Sequence, residues 1–524
     1  MLTADFMGGE VDTELSGWNA GDGVATKLYN PNSALGTLPA PTKKATVFLG
    51  WWTEPVGGTL VSEVSVITES QTIYAHWQDI WLNYRSENLN EAGGVYTISS
   101  AEELAFISYK VFSANAHYMS ASYRLVSDID LSAHEWFPIG DTTTIFKGTF
   151  DGNGYSITGL NADSGSTVKN FGFFGTTEGA TIKNVKITVD LTGSVKGVGG
   201  IVGIANTGTL IENCEVYGSI GGDTSRAGGI AYINYAHIKN CVNNANVNAS
   251  SIVGGIVATN NGGKIESSVN HGQISGGQQS SGGISGNMVD GEITNCVNDG
   301  MVVAENNVDT ASGGIVGRAV GGTITNCTNS GTVEGSVAVG GIVGATNAQT
   351  KLLNCFNTGS LKMKNNEKAT EYCLGGIVGS GVSSEFEGCY SLSNVEVESS
   401  ISESVYLGAL VGYYDNLILT GCGAEINANI DIQPFCGDGL NTLQLTSCYT
   451  IVSQGVNSNV TISQGEFDGL FVYASTGSIM SGAPVPKGIF WIENTLLSTN
   501  IRGQLDAIAT RLGTTVTEYT NAAA

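Results

Sequence analysis

The sequence predicts an all-β protein: a right-handed, three-sided parallel β-helix, plugged by a helix at its N-terminal end and preceded by a small separate β module. Three observations carry this. The stretch Gly-Gly-Ile-Val-Gly stands at 199–203, 313–317, 340–344 and 375–379, with worn copies between. A second stretch, I-x-N-C, follows each copy fourteen residues on, within one, as Cys327 follows Gly313. Glycine (73 of 524 residues) is abundant while proline (8) and charge (13%) are scarce, which suits many tight turns between short strands.

The first positions of the glycine stretches are Phe171, Gly199, Gly228, Gly254, Gly282, Gly313, Gly340, Gly375 and Gly408. Their mean interval, (408 − 171)/8, is close to 30 residues, the signature of a solenoid. The second stretch ends at Val185, Cys214, Cys241, Ser268, Cys296, Cys327, Cys355, Cys389, Cys422 and Cys448. After several copies the chain reads N-x-G-x-V, as at Asn298–Val302 and Asn329–Val333. Each repeat thus offers three short apolar stretches between Gly, Asn, Ser and Thr, too short for helices. With turns stacked about 4.8 Å apart, the nine repeats plus two or three earlier turns predict a rod of roughly 50 to 60 Å.

Within a turn, glycines beside Ile201, Ile256, Ile284, Ile315, Ile342 and Ile377 let backbones approach across a narrow interior. Glu212, Lys239, Glu266, Thr294 and Thr325 follow the Ile of the second stretch and face solvent by strand alternation. The next residue, Asn213, Asn240, Asn295, Asn326 or Asn354, suits a corner where amides bond from turn to turn. Cys214, Cys241, Cys296, Cys327, Cys355, Cys389, Cys422 and Cys448 share one ladder position with Val185 and Ser268. They read as free, buried, small side chains. Disulfides between turns are the alternative, and the Val and Ser substitutes argue against them.

Flanking elements follow from local signals. Ser100-Ala101-Glu102-Glu103 reads as a capping box opening a helix over about 100–114, with Leu104, Ile107 and Val111 on one face. Asp151-Gly152-Asn153-Gly154 reads as a tight turn. Ile501, Leu505, Ile508 and Leu512 recur at helical spacing and suggest a closing helix. The division expected is a β module over 1–80, a linker over 81–95, the β-helix over 96–455, and C-terminal turns with a capping segment over 456–524.

Charge and composition narrow the function. A net charge of 22 − 47 = −25 disfavours nucleic acid and anionic lipid. No apolar run reaches membrane-spanning length, and the first residues lack the pattern of a signal peptide, so the chain is cytosolic or a piece of a longer exported one. The cysteines avoid CxxC spacing, and the five histidines, at 76, 117, 134, 237 and 271, form no sequence-close pair. No metal or cofactor is expected. For catalysis the candidate carboxylates are Asp128, Asp130 and Asp151; Asp128 and Asp130 share a strand face, while Asp130 opening Asp-Leu-Ser and Asp151 opening a Gly-Asn-Gly turn have structural explanations. Lys147, Lys196, Arg226 and Arg318 are scattered. Trp51, Trp52 and Trp77 fit the core of a small module better than a binding surface.

Two resemblances attach to these motifs. Over Leu28 to Trp77, the pattern Leu38-Pro39, Gly50-Trp51-Trp52-Thr53, Gly57-Gly58 and Tyr74-Ala75-His76-Trp77 resembles the Listeria-Bacteroides repeat, a β-grasp-like module of bacterial surface proteins. From about 96 to 450 the chain is similar to bacterial surface proteins carrying GLUG motifs. Such motifs also precede the catalytic domain of IgA-specific metallopeptidases, but the zinc motif HExxH is absent, His134-Glu135 being followed by Trp136, Phe137 and Pro138. The resemblances imply an extracellular, non-enzymatic adhesin or display scaffold whose partner is a host glycan, a matrix protein or a bacterial polysaccharide. The alternatives are a polysaccharide lyase or hydrolase, with a groove near 301–312 and 360–373, and a structural stalk.

Overall fold

The computed structural model describes residues 1–464 apart from 10–16, 22, 42–46, 79–80, 163–169, 193–195, 222–223, 306–309, 367–368, 402–403, 434, 447 and 455–460. The expected closing helix at 501–512 lies outside the described residues.

The first 78 residues form one mixed sheet with its own core. Its strands are β1 (Leu2–Asp5), β2 (Asn19–Gly21), β3 (Val24–Lys27), β4 (Val47–Trp52), β5 (Leu60–Val61) and β6 (Gln71–Gln78), in the order β2-β3-β1-β6-β4-β5. Only β1 and β6 run parallel, so β1 brings residues ahead of Leu28 into the centre of the sheet. Leu2, Phe6, Trp18, Trp51 and Ile73 fill the core. The Trp51 indole donates to the Pro39 carbonyl at 2.9 Å and the Trp77 indole to the Phe6 carbonyl at 2.8 Å, so the polar edge of the buried Trp51 and of the half-buried Trp77 is satisfied. Trp52 is half-buried and stacks on His76 at 4.4 Å.

A second core begins at Trp81. Within 81–95, the expected linker, Trp81 belongs to this core and Leu89 packs against it. Trp81 is buried, its indole donates to the Leu131 carbonyl at 2.9 Å, and Asn90–Ala92 pairs with Val95–Ile98 as a hairpin. Helix α1 (Ala101–Phe112) follows, burying Leu104, Ile107 and Val111. Ser100 caps it by accepting from the Glu103 amide, but the return bond from Glu103 goes to the amide and hydroxyl of Ser99, one residue earlier than a capping box predicts.

From Ser122 onward the chain winds into a parallel β-solenoid of about 12 turns, whose strands fall into three sheets. One turn reads Ala311–Gly313, Val316–Val320, Thr323–Thr325, Thr328–Asn329 and Val333–Gly335. Equivalent residues pair in register between turns: Gly282 with Gly313 and Gly340, Ile293 with Ile324 and Leu352, Asn298 with Asn329 and Asn357. Ile182, Ile211, Ile238, Ile265, Ile293 and Ile324 are all fully buried, while the residue after each is half-buried, as strand alternation requires.

The glycine pair has two separate tasks. A Cβ on Gly313 would overlap the Val316 carbonyl of its own turn, so the first glycine makes a sharp corner possible. A Cβ on Gly314 would overlap the side-chain amide of Asn329, on the strand across the interior, and the Gly341 carbonyl of the next turn. The second glycine therefore makes room for a buried amide.

Candidate functional site

Polar residues stack in two columns of amides that run in opposite senses. The outer column was expected. Asn184, Asn213, Asn240, Asn295, Asn326 and Asn354 all have positive φ, between 51° and 56°, and sit at the tight corner before the cysteine position. Asn240 donates to Asn213 at 3.3 Å, Asn213 to Asn184 at 3.4 Å, and Asn184 to the Asp151 carboxylate at 2.9 Å. Asp151 therefore ends the column.

The inner column was missed at the level of sequence. Asn270, Asn298, Asn329 and Asn357, each the Asn of an N-x-G stretch, and Asn243, which is followed by Asn-Ala, are fully buried. Each donates to the amide oxygen of the next turn at 2.7 to 2.8 Å until Asn357 hands the chain to Ser393 at 2.6 Å. The second amide hydrogen of each bonds a carbonyl two residues on, as Asn329 does with Gly331 at 2.9 Å. The recurrence of Asn in one register position over five consecutive turns was the available signal.

All ten cysteines are free. The eight ladder thiols point inward, and each donates to the carbonyl two residues before it, as Cys327 does to Thr325 at 3.3 Å and Cys389 to Glu387 at 3.5 Å. Burial, reinforced by neighbouring thiols, raises the Cys327 and Cys389 pKa well above the ordinary value. Burial holds these two thiols neutral.

The catalytic candidates do not converge. Asp128 accepts from the Ser156 amide at 2.7 Å and Asp130 from the Ser132 amide at 2.9 Å. The latter bond lowers the Asp130 pKa. At Asp151, burial pushes the pKa up, but hydrogen bonds from Asn184 and Asn153 and the charges of Lys183 and Arg124 outweigh it, and the net shift is downward. A depressed carboxyl is a poor general acid. Lys147 pairs with Glu178 at 2.5 Å, Arg226 opens the strand Arg226–Gly228, and Arg318 lies in register between Asn287 and Ala345. Lys196 offers its backbone carbonyl to the Ser225 hydroxyl at 2.6 Å. Among the described residues no group of three or more His, Cys, Asp or Glu is placed to hold a metal ion. In the two segments proposed to line a groove, Thr310 donates to the Gln278 carbonyl at 3.1 Å and the Asn366 side-chain amide donates to the Ser336 hydroxyl at 3.4 Å, each a bond to the preceding turn.

One outer feature recurs along the rod. Val253, Val339 and Leu374 belong to the main core, so by alternation Ile252, Ala338 and Cys373 beside them point outward, yet these three are buried. Ala311, Ala338 and Ala345 even form a small apolar cluster of their own. The strand carrying the first glycine and the strand after it thus meet in a re-entrant corner. Side chains touch across it, as when Ser280 donates to Asn287 at 2.6 Å.

Comparison with known proteins places the GLUG motif at residues 309–334, the turn described above. A protein of Evansella cellulosilytica provisionally named a Gly-rich membrane protein is 36% identical over 112 residues, 19% of this chain and 13% of that protein. The chain therefore matches only a small part of that relative's length. A crystal structure provisionally titled an immunoglobulin A1 protease from Bacteroides ovatus aligns over 63% of this chain and 86% of that one, at 20% identity and a TM-score of 0.34, too loose a superposition to argue from. No helix among the described residues is long and apolar enough to cross a membrane. The chain carries a GLUG motif at residues 309–334 and is built as a parallel β-solenoid.

Proposed function

We propose that this protein is a non-enzymatic scaffold of the bacterial cell surface, its rod presenting lateral faces to a host glycan, a matrix protein or a bacterial polysaccharide. The observation that carries this reading is the fate of the polar residues. The carboxylates that were candidates for catalysis are engaged in turns and at the end of an amide column, while the outward columns form ion pairs from turn to turn, Lys351 with Glu385 at 2.8 Å and Lys362 with Glu396 at 3.6 Å. Such pairs contribute little to stability and leave a charged, regular surface about 55 Å long. Extended, shallow faces suit adhesion and spacing better than chemistry. The likeness of part of the chain to a protein named for a membrane supports a surface location.

The test is binding of the full chain to an array of host glycans, matrix proteins and bacterial polysaccharides, with every bound polysaccharide checked for shortening. Binding without shortening is expected. Shortened chains would replace this reading with a lyase or hydrolase, and silence across the array would leave a stalk.

A further inference from the structure

The re-entrant corner changes character at its C-terminal end. Where earlier turns place Ala338 and Ala345, the last ones place Tyr406 and Tyr413, whose rings lie 5.5 Å apart and are both half-buried. Three carboxylates surround them. Asp438 pairs in register with Tyr413, Asp415 lies two residues on along the same strand face, and Glu371 lies two residues before Cys373, the register partner of Tyr406. Asp415 is held in place by the side-chain amides of Asn416 at 3.0 Å and Asn441 at 2.7 Å. Glu371 first, then burial and Asp438, raise the Tyr406 phenol pKa; burial first, then Asp415 and Glu371, raise that of Tyr413. Both rings therefore sit in a negative field.

A second observation is independent of the charges. Cys373 faces outward into this corner and is 7% exposed; its backbone amide donates to the Val337 carbonyl, but its thiol, unlike the eight ladder thiols, has no hydrogen-bond partner among the described residues. It is a buried, unpartnered polar group beside the two rings. Ala338 and Cys373 precede Tyr406 in one register column; in the other Ala345 and Ser380 precede Tyr413 and Asp438 follows it, and Arg318 stands three turns before Tyr413, beyond Ala345.

We propose that Tyr406, Tyr413, Glu371, Asp415 and Asp438 form a binding site for an organic ammonium group. The electron-rich ring faces attract a cation, and the carboxylates supply the opposite charge. A neutral sugar would gain nothing from that field, and an anion would be repelled. The ammonium could belong to a choline headgroup, a lysine side chain or an amino sugar. This site rests on the binding-scaffold reading and narrows it to one class of ligand.

The experiment is calorimetric titration of the full chain with choline, acetyl-lysine amide and glucosamine in separate arms. Dimethylbutanol, which keeps the shape of choline without its charge, is the control. At least one ammonium compound binds, dimethylbutanol does not, and the strongest arm names the source. Glu371→Gln and Tyr413→Ala each weaken binding about tenfold, while Tyr413→Phe, which keeps the ring, stays within about twofold and guards against simple misfolding. Equal binding of dimethylbutanol, or full affinity in Glu371→Gln, overturns the assignment. Array binding with no ammonium binding defeats this inference alone. Ammonium binding with a silent array keeps the site and defeats the wider reading.

Discussion

Replacing Asn329 tests whether the inner amide column is structural in the way its geometry implies. Its side chain donates to Gly331 at 2.9 Å and to Asn357 at 2.8 Å and accepts from Asn298 at 2.8 Å, all fully buried. Asn329→Ala removes three hydrogen bonds, each contributing about 1 kcal/mol net, strips partners from groups no water reaches, and opens a small void. The expected loss is about 3 to 5 kcal/mol. Asn329→Asp is more diagnostic. The introduced carboxylate can still accept from Asn298 but cannot donate to Gly331 or Asn357, so burial and two facing acceptors raise its folded pKa above the unfolded value of about 3.9. The native state then binds a proton that the unfolded chain has released. Relative to the parent, stability is therefore fullest below about pH 4 and falls by about 1.4 kcal/mol per pH unit as pH rises, until the raised folded pKa is passed.

A solenoid couples mainly neighbouring turns, so the assay should read local as well as global opening. Native-state hydrogen exchange of peptides spanning 296–335, run beside urea denaturation at pH 4.5 and 7.5, serves both ends. Asn240→Asp, on the exposed outer column with a single 3.3 Å donated bond, is the control and costs about 1 kcal/mol or less. If Asn329→Asp shows the same pH dependence as the parent, or Asn329→Ala loses less than about 1 kcal/mol, the column is not the buried, fully bonded network described and the reasoning fails.

Other predictions follow from single contacts. Gly314→Ala, whose Cβ would overlap the Asn329 amide and the Gly341 carbonyl, yields little soluble folded protein, whereas Ser330→Ala, at an exposed position, expresses normally; solubility and circular dichroism decide. Cys327→Val keeps stability within about 1.5 kcal/mol, since Val185 already fills that column, and thiol-labelling kinetics show the ladder cysteines reacting only as fast as the chain unfolds. Asp151 has a lowered pKa, so its contribution is present above about pH 4 and is lost as pH falls through the folded value. Asp151→Asn removes that part of the acid sensitivity, and a parent and variant with identical acid denaturation curves would contradict the role given to it.

Some columns were legible in the sequence and others were not, for physical reasons. The Ile and Cys positions of I-x-N-C were readable because an inward column tolerates only small variation: every occupant must match the volume left by its neighbours above and below. The outer Asn corner was readable because positive φ favours Asn at one fixed place. The inner Asn column was overlooked because its N-x-G context is also that of a surface turn. Only its recurrence in every turn from Asn243 to Asn357, with a glycine opposite, distinguishes a buried amide. The hairpin of Asn90–Ala92 with Val95–Ile98 lies outside the repeat and so carries no periodic signal, although its second strand pairs with Ser122–Leu125.

The corner residues were illegible for a different reason, which bears on function. Alternation labels Ile252, Ser280, Ala311 and Cys373 as outward, and nothing in one strand reveals that the adjoining strand folds back to cover them. Inward columns must repeat, so adding turns lengthens the rod without creating recognition. Recognition has to come from positions where one turn departs from the rest. The corner holds two such departures. At one end Tyr232 stands where other turns have Gly286, Gly317, Gly344 or Gly379, and its ring lies over Gly197, where any Cβ would collide with it. At the other end Tyr406 and Tyr413 replace alanines and gather three carboxylates. If turn-specific departures are what a ligand reads, exchanging Tyr406 and Tyr413 for the alanines of the preceding turns should erase binding at that end while leaving the hydrogen-exchange protection of the solenoid core intact. Loss of both together would mean that the tyrosines act in folding, and that the corner is only the seam of the rod.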